Sequence, residues 1–408
     1  MRRRSGLTAL LAVTGPGLLA GLSDDDPAGI TTYSILGAEY GYTLLWTLGL
    51  STAALVLFHE LGARMGVVTG QGLAGLIRER YGVRWAAPAL LALVVANLGT
   101  SCAEFAGVAA SLELAGVRRY VSVPLAAALV ATLVLKCGLH RVEHVLLLLA
   151  TAFAAYIAAG LLAGLDWGAA ARGLVVPSMP LDRDAVLTVT PVVGTTLAPW
   201  GLAFIQSYAV DKRLTPADMR YERIDVVTGA VMTGVIGAFV VVACAATLHA
   251  SGRSITDARD AATALEPLAG DLAAALFGAG LLGATLLAAS VLPLATAYSV
   301  SEALGREAAL DDPYADARVF YCTYGAVLGV SSVVVLLPGA PLVPILFLTQ
   351  ALNAVLLLPL LVLIARLSRD RDLMGEYRSS RAGLVAQALT IAVLAVCVAA
   401  LSILSLPP

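Results

Sequence analysis

The sequence has few charged residues and little that could build a soluble surface. Asp, Glu, Lys and Arg make up 13% of its 408 residues, about half the usual proportion in soluble domains. Apolar residues make up 59% of the chain, and the mean hydropathy is +0.87. This composition excludes a soluble globular domain and gives no basic patch for nucleic acid. It predicts an all-α, polytopic membrane protein.

Cysteine and histidine are also scarce. The five cysteines are scattered through apolar segments without a C-x-x-C pair, at Cys102, Cys137, Cys244, Cys322 and Cys397. We expect packing residues there rather than disulfides or metal ligands. The four histidines all fall near the ends of predicted spans, at His59, His140, His144 and His249. A proton relay of the acid–histidine type is therefore hard to build, and we expect no cofactor.

Eleven apolar runs are long enough to cross a bilayer. They cover residues 7–37, 43–63, 86–114, 121–138, 144–165, 186–210, 225–250, 270–301, 317–337, 342–365 and 382–405. The longest gaps between them are connectors, some with short helices, at 64–85, 166–184, 251–269, 302–316 and 366–381. None is long enough for a second domain, so we predict a single transmembrane domain over residues 1–408.

The basic residues predict an orientation. With eleven spans, twenty of the 26 Lys and Arg residues fall on the side of the N-terminus and six on the other. By the positive-inside rule the N-terminus is cytoplasmic and the C-terminus extracytoplasmic. We expect a multi-pass protein of the cell (inner) membrane.

The first span is interrupted by three consecutive carboxylates, Asp24, Asp25 and Asp26, followed by Pro27 and Gly29. Each ionised Asp at mid-bilayer costs roughly 2.5–3.5 kcal/mol, so the three require a protein-lined, hydrated cavity. Proline removes a backbone donor and glycine tolerates non-helical dihedrals. We interpret the stretch as a helix broken at membrane depth to hold a cation. The alternatives are a segment that ends in the headgroups or a signal peptide, but residues 18–23 lack a good cleavage site.

A second interruption lies in the sixth span at residues 194–201, which again pairs proline with glycine. The first and sixth spans run in opposite directions across the membrane. Broken helices at corresponding positions of two halves indicate inverted repeats with the binding site at the breaks. We predict five-helix repeats over about 7–165 and 186–365, with an extra helix over about 382–405.

The breaks offer only hard oxygen ligands. An unwound helix frees carbonyls that must line a cavity or bind an ion. The candidates are Asp26, a carbonyl near Ser23, and the carbonyls and hydroxyls of Thr195 and Thr196. No His, Met or Cys lies in either break. Oxygen donors suit Mg²⁺, Ca²⁺ or Mn²⁺ better than thiophilic metals.

Further candidates lie around these ligands. Gln350 and Asn353 share a helix face in the tenth span, where they serve either as ligands or as ordinary inter-helix hydrogen bonds. Consecutive residues of a helix point about 100° apart, so Asp24 and Asp25 cannot join Asp26 at one point. One of these two would act on a hydrated ion through water, or line the path. Glu104, in the middle of the third span, is a functional candidate, or else a protonated carboxyl hydrogen-bonded across helices.

An interfacial ion pair is also predicted, between Glu60 and Arg64 at the end of the second span.

Several stretches of the chain resemble the Nramp divalent-metal transporters. They are Gly15-Pro16-Gly17, Asp26-Pro27, Glu39–Trp46, Ala63–Gly70, Arg78–Tyr81, Ala103-Glu104, Pro199 and Gln350. The resemblance covers spans one to ten, and the first eighty residues are its most specific part. It implies the LeuT-type fold of two inverted five-helix repeats, with helices 1 and 6 broken at mid-membrane.

The departures from that family's pattern concern the site. The Asp-Pro-Gly-Asn motif becomes Asp26-Pro27-Ala28-Gly29, so the asparagine ligand is replaced by Gly29. The Met-Pro-His motif becomes Ala198-Pro199-Trp200, so Ala198 stands in place of the thioether and Trp200 in place of the histidine linked to proton transfer. These changes are similar to those of the Nramp-related magnesium transporter branch, in which a larger pocket takes a partly hydrated ion.

In the third span, Ser101 replaces the aspartate of the family's acid pair and Glu104 is kept.

We therefore expect a monomeric secondary transporter, not an enzyme, that imports Mg²⁺ and Mn²⁺ by alternating access without proton coupling. Its partners would be the divalent ion and the bilayer. The nearest alternative is a proton-coupled Mn²⁺/Fe²⁺ transporter of the Nramp type. An amino-acid carrier of the same fold is disfavoured because three acids in the first break would repel a carboxylate. An intramembrane aspartyl protease or prenyltransferase is disfavoured because only one acidic cluster exists.

Overall fold

The architecture comes from a computed structural model. It describes residues 15–136, 166–180, 183–255, 273–306, 309–310, 312–340 and 342–404, together with residues 141, 144, 145, 148 and 157. These parts of the chain contain helices, turns and connecting segments and no strand. The helices are α1 Pro16–Ser23, α2 Pro27–Tyr40, α3 Leu45–Thr69, α4 Leu73–Tyr81, α5 Val83–Leu114, α6 Arg119–Lys136, α7 Trp167–Val175, α8 Arg183–Thr196, α9 Pro199–Asp211, α10 Met219–Thr247, α11 Ala273–Ala303, α12 Arg318–Leu336, α13 Leu342–Arg369, α14 Arg371–Met374 and α15 Arg381–Leu404.

Within the described ranges, nine helical segments are long and apolar enough to cross a membrane, and the broken first span precedes them. The predicted fifth span, residues 144–165, lies almost wholly outside the described residues, as do residues 7–14 of the first. Several predicted boundaries were too short, and the seventh span begins at Met219 rather than 225. The second span continues to Thr69 rather than 63, and the tenth to Arg369 rather than 365. The short helices α4, α7 and α14 occupy three of the predicted connectors.

The cysteines have different surroundings. The four described ones are free thiols, and Cys102 and Cys244 are buried, as packing residues would be. Cys322 is exposed, so the packing prediction is wrong there. Cys137 lies outside the described residues.

The first span is broken between α1 and α2, as predicted. Asp26 has an extended backbone and caps α2, because its side chain accepts the backbone N–H of Gly29. Pro27 occupies the first helical turn, where its missing N–H leaves no helical hydrogen bond unmade. The three aspartates therefore lie at the junction of two half-helices.

The second break separates α8 from α9 and has a similar design. Ala198 is extended, with φ −77° and ψ 142°, and Pro199 opens α9. Unlike Asp26, Ala198 has no side chain that could cap the helix. The two breaks thus share proline geometry but differ in charge.

The broken helices pack reciprocally. Both halves of the first span, α1 and α2, lie against α10, and both halves of the sixth, α8 and α9, lie against α3. Helices α5, α11 and α13 pack around these pairs. This exchange of partners is the arrangement expected of two inverted repeats.

Glycines bring α1 and α10 into backbone contact. A Cβ at Gly21 would overlap the backbone of Gly229, and one at Gly229 would overlap that of Gly17. Small residues allow this close approach in membranes, where packing replaces the hydrophobic effect as the driving force. The start of α10 therefore fixes the position of α1 beside the first break.

Polar groups of α10 hold both ends of α1. The Asp225 carboxylate accepts the backbone N–H groups of Gly15 and Gly17, at 3.1 and 2.6 Å. The Thr233 hydroxyl donates to the carbonyl of Gly21 at 2.5 Å. The Asp225 contact satisfies N–H groups that the start of a helix leaves without partners, and the Thr233 contact adds a second donor to a carbonyl that also accepts the N–H of Asp24.

Candidate metal site

The three aspartates of the first break are all buried, with exposed fractions of 1% for Asp24, 0% for Asp25 and 3% for Asp26. Their surroundings differ. Oδ1 of Asp26 accepts the N–H of Gly29 at 2.5 Å. Neither carboxylate oxygen of Asp24 or Asp25 has a hydrogen-bond partner among the described residues. An unpaired buried carboxylate is costly, so these groups require a cation, water or a proton.

Three oxygens converge on Gly29. A Cβ built on this glycine would lie 2.9 Å from the carbonyl oxygen of Asp24, 3.0 Å from Oγ1 of Thr195 and 3.2 Å from Oδ1 of Asp26. The Thr195 hydroxyl has no hydrogen-bond partner among the described residues. The absence of a side chain at Gly29 thus leaves one carboxylate, one carbonyl and one hydroxyl facing a common point. All three are hard ligands.

The half-helices add to the negative potential there. Helices α1 and α8 both end at the breaks, so their unpaired carbonyl ends favour a cation. Ser23, the last residue of α1, is fully buried, and its hydroxyl has no partner within the described parts of the chain. Ser23 thus lies at the first break, where the sequence predicted a carbonyl donor.

Glu104 joins the first break from α5. It is fully buried, and its carboxyl lies beside that of Asp26. The approach of the two helices is close, because a Cβ at Gly107, one turn further along α5, would overlap Pro27. Two adjacent buried carboxylates can both be charged only with a cation near them. Glu104 therefore lies at the first break, next to the carboxyl of Asp26.

One of the predicted ligands, Thr196, is occupied by other contacts. The Thr196 hydroxyl bonds the Tyr33 hydroxyl at 2.9 Å and donates to the carbonyl of Val192 at 2.8 Å. Its side chain therefore braces α2 against α8, and only its neighbour Thr195 presents a hydroxyl to Gly29. The two threonines point about 100° apart on the helix, and the sequence alone could not choose between them.

The amides of the tenth span form a network. Asn353 donates through Nδ2 to Oε1 of Gln350 and to the hydroxyl of Thr100, both at 2.9 Å. The bond to Thr100 joins α13 to α5, as one of the two interpretations expects of Asn353, whereas the bond to Gln350 lies within α13. Nε2 of Gln350 has no partner among the described residues. The backbone carbonyl of Gln350 also packs against α8, because a Cβ on Gly194 would overlap it.

Ala198 and Trp200 form the wall of the second break. Ala198 is 2% exposed and Trp200 1% exposed. The indole packs against Phe204, with ring centroids 6.3 Å apart. No thioether stands at position 198, so this wall offers bulk without a soft ligand.

His59 is the residue that sequence reasoning missed. Because α3 continues to Thr69, His59 lies in the interior of this helix and is fully buried. Its Nε2 is 3.8 Å from Oδ2 of Asp24. The prediction that all histidines lie near span ends is therefore wrong for His59. The inference that an acid–histidine relay is hard to build rested on that placement. The charged residue Arg64 led to a predicted span end at residue 63. The apolar residues that follow it, up to Val68, are the signal that could have shown that the helix continues.

The predicted ion pair between Glu60 and Arg64 is present, with 3.3 Å between its closest atoms. Arg223 of α10 joins Glu60 at 2.9 Å.

A cavity lies beside the C-terminal end of α9, which is the end farther from the breaks. Its volume is about 770 Å³, and α4, α9 and the end of α11 supply most of its wall. Two hydrogen bonds hold α9 there. Ser207 donates to Glu302 of α11 at 2.5 Å, and Gln206 donates to the carbonyl of Gln71 at 2.9 Å. Helix α9 thus connects the candidate site with the cavity.

The chain is similar to known proteins over almost its whole length. A family model described as "Natural resistance-associated macrophage protein-like" (Nramp) matches residues 17–404. A divalent metal cation transporter MntH of Burkholderia ambifaria is 32% identical over 67% of this chain and 64% of the relative. Another MntH, from Granulibacter bethesdensis, is 26% identical over 93% of this chain and 85% of the relative.

A solved structure shares the fold. A manganese transporter of Eremococcus coleocola, in complex with an aromatic bis-isothiourea compound, superimposes with a TM-score of 0.81. The match covers 99% of this chain and 89% of that one, at 18% identity. It confirms the predicted LeuT-type fold with broken first and sixth helices. Together with the family match, it shows that the chain belongs to the Nramp family.

Proposed function

We propose that the protein is a divalent-metal transporter that carries Mg²⁺, and also Mn²⁺, by alternating access without proton coupling. The observation that carries the proposal is the convergence of three oxygens on Gly29, opposite a break in which Ala198 provides no sulfur. Mg²⁺ is bound by a few direct oxygen ligands and keeps several waters. A site with one direct carboxylate, neutral oxygens and room at positions 29 and 198 suits that chemistry.

In this proposal, Asp26 is the direct ligand. The carbonyl of Asp24 and the hydroxyl of Thr195 complete its side of the ion, and Glu104 acts from the next shell of contacts. The charge of the ion offsets the repulsion between the two carboxylates. Ser23 contributes a carbonyl near the end of α1, and Gln350 has an amide N–H group able to hold a bound water.

The driving force would be the ion gradient and the membrane potential. A divalent ion gains about 4.6 kcal/mol per 100 mV when it moves inward. With a cytoplasmic N-terminus, the cavity at the end of α9 lies on the cytoplasmic side. The Ser207–Glu302 hydrogen bond would then close the inner side of the path.

The test uses purified protein in liposomes. Mg²⁺ uptake should be lost in Asp26→Asn, which keeps the side-chain shape and removes the charge. A matched control is Asp184→Asn, because Asp184 is exposed in the first turn of α8. Unchanged Mg²⁺ uptake in Asp26→Asn would refute the site.

The second candidate is a proton-coupled transporter of Mn²⁺ or Fe²⁺. Two observations favour it: the relatives and the structural neighbour carry manganese or divalent-cation names, and His59 lies beside Asp24. It requires acidification of the liposome interior during metal uptake, and it requires Fe²⁺ or Cd²⁺ to compete strongly with Mg²⁺. A pH dye and a competition assay separate the two candidates.

A further inference from the structure

We propose that Asp24 and His59 form a second divalent-cation subsite, in series with the Asp26 site and next to α9. The inference rests on the proposed transport of divalent ions. The subsite would take a borderline metal such as Mn²⁺ through one oxygen and one nitrogen, whereas the Gly29 oxygens suit hard ions.

The distance between the two side chains fits a shared ion. Oδ2 of Asp24 and Nε2 of His59 are 3.8 Å apart. Metal bonds to such ligands are roughly 2.0–2.2 Å long, so two ligands of one ion lie about 3 Å apart when at right angles and about 4.3 Å apart when opposed. The observed separation lies between these limits. It is too long for a direct hydrogen bond.

Gly201 leaves space at this point. A Cβ on this residue of α9 would lie 3.1 Å from Nε2 of His59 and 3.5 Å from Oδ1 of Asp24. Any other residue type would place a carbon against both ligand atoms. The glycine therefore keeps the gap between the carboxylate and the imidazole open on the side of α9.

The polar atoms of both side chains lack hydrogen-bond partners within the described parts of the chain. Both side chains are fully buried. Neither the two carboxylate oxygens of Asp24 nor the two ring nitrogens of His59 have a hydrogen-bond partner there. A buried polar group without a partner destabilises the fold, and a charged one does so more strongly. A bound cation with its waters would satisfy the carboxylate and the imidazole at once.

Asp24 links the two sites. Its backbone carbonyl faces Gly29, and its carboxylate faces His59 and Gly201. An ion at the Asp26 site would already contact the backbone carbonyl of Asp24. When it leaves toward α9, it would pass to the carboxylate of the same residue. Within the described residues no three His, Cys, Asp or Glu side chains form a metal-holding group. Two protein ligands therefore imply a weak subsite, through which ions can pass.

The choice of metal follows from the nitrogen. Imidazole suits Fe²⁺ and Zn²⁺, and Mn²⁺, a transition metal that also takes oxygen ligands, accepts a nitrogen more readily than Mg²⁺ does. The two subsites would consequently differ in preference.

The experiment is electron spin echo envelope modulation of Mn²⁺ added to the purified full-length protein at two equivalents. This method detects a ¹⁴N nucleus bound directly to Mn²⁺. We expect ¹⁴N modulation in the wild type, its replacement by a ¹⁵N pattern when histidine is ¹⁵N-labelled, and its loss in His59→Gln. His249→Gln is the matched control, because this histidine bonds the carbonyl of Ala38 at the other end of the bundle, and the modulation should persist.

A second variant guards against a folding defect in His59→Gln. When His140, His144 and His249 are all replaced by Gln, the modulation should remain, because His59 is then the sole histidine. Absence of ¹⁴N modulation in the wild type, its survival in folded His59→Gln, or its loss in the variant that keeps only His59 would each overturn the proposal.

The result also separates this inference from the proposed function. Asp26→Asn should abolish Mg²⁺ uptake and retain the ¹⁴N modulation. If the wild type transports no Mg²⁺ but shows the His59 modulation, the magnesium function fails and the subsite stands. If it transports Mg²⁺ without the modulation, the subsite fails and the magnesium function stands.

Discussion

Oδ1 of Asp26 accepts the backbone N–H of Gly29 at 2.5 Å, so the residue proposed as the direct ligand is also the N-cap of α2. A capping side chain is held in one orientation, and the cap stabilises the helix by about 1 kcal/mol. The same bond places Oδ1 next to the position of the missing Cβ of Gly29. The ligand is thus oriented before an ion arrives.

Gly29→Ala should abolish or strongly reduce Mg²⁺ uptake. The added methyl would lie 2.9–3.2 Å from three oxygens, so it would occupy the point on which they converge. Gly99→Ala is a matched control, because its Cβ would meet Thr349 Cγ2 at an ordinary 3.5 Å. Uptake in liposomes measures the difference, and equal uptake by the two variants would show that the Gly29 point is not part of the site.

Ala198→Met should shift selectivity toward soft metals. The substitution places a thioether in the second break, and sulfur ligands favour thiophilic ions over Mg²⁺. We expect lower Mg²⁺ uptake and stronger inhibition of it by Cd²⁺. Ala198→Leu is the control, since it adds similar bulk without sulfur. If both variants respond equally to Cd²⁺, position 198 does not contact the ion.

Thr233→Val should destabilise α1. The change removes the bond between α10 and the carbonyl of Gly21, which then keeps only the N–H of Asp24, at a cost of about 0.5–1.5 kcal/mol. Thr247→Val removes only a bond to Ala243 within α10, so a smaller loss is expected. Denaturant midpoints of the two purified variants provide the comparison. If Thr233→Val lowers the denaturant midpoint no more than Thr247→Val does, Thr233 does not anchor α1.

Ser207→Ala should favour opening at the end of α9. A hydrogen bond to a charged group contributes roughly 1.5–3 kcal/mol, so the open population could rise by about tenfold or more. In a cysteine-free background, Ala203→Cys reports this opening, because Ala203 is buried one turn before Ser207. Its modification by an impermeant thiol reagent should accelerate in Ser207→Ala.

The control for this opening is Ser290→Ala, which removes a bond to Leu286 within α11. If the modification rate is the same in both variants, the Ser207 contact does not close the path.

The breaks could be predicted from the sequence because their causes are local. Pro27 and Pro199 each lack an N–H group, and the three acids before Pro27 cannot remain in lipid. The local sequence alone therefore locates both interruptions. The helix type and most boundaries followed from apolar length in the same way.

The site's detailed geometry depends on contacts between distant segments, which no local pattern encodes. Thr195 and Thr196 are chemically equivalent in the sequence, and only the packing of Tyr33 against Thr196 decides which hydroxyl is free. His59 was missed because Arg64, which pairs with Glu60 inside the helix, resembles a span end. Its proximity to Asp24 depends on how α3 packs beside the first break.

The proposed function is transport of Mg²⁺ without proton movement. Its most direct test is Mg²⁺ and Mn²⁺ uptake into liposomes that hold the purified protein, with internal pH recorded during the same flux. We predict uptake of both ions, driven by an inside-negative potential, with no change in internal pH. Metal-dependent acidification, or uptake of Mn²⁺ without Mg²⁺, would contradict the account.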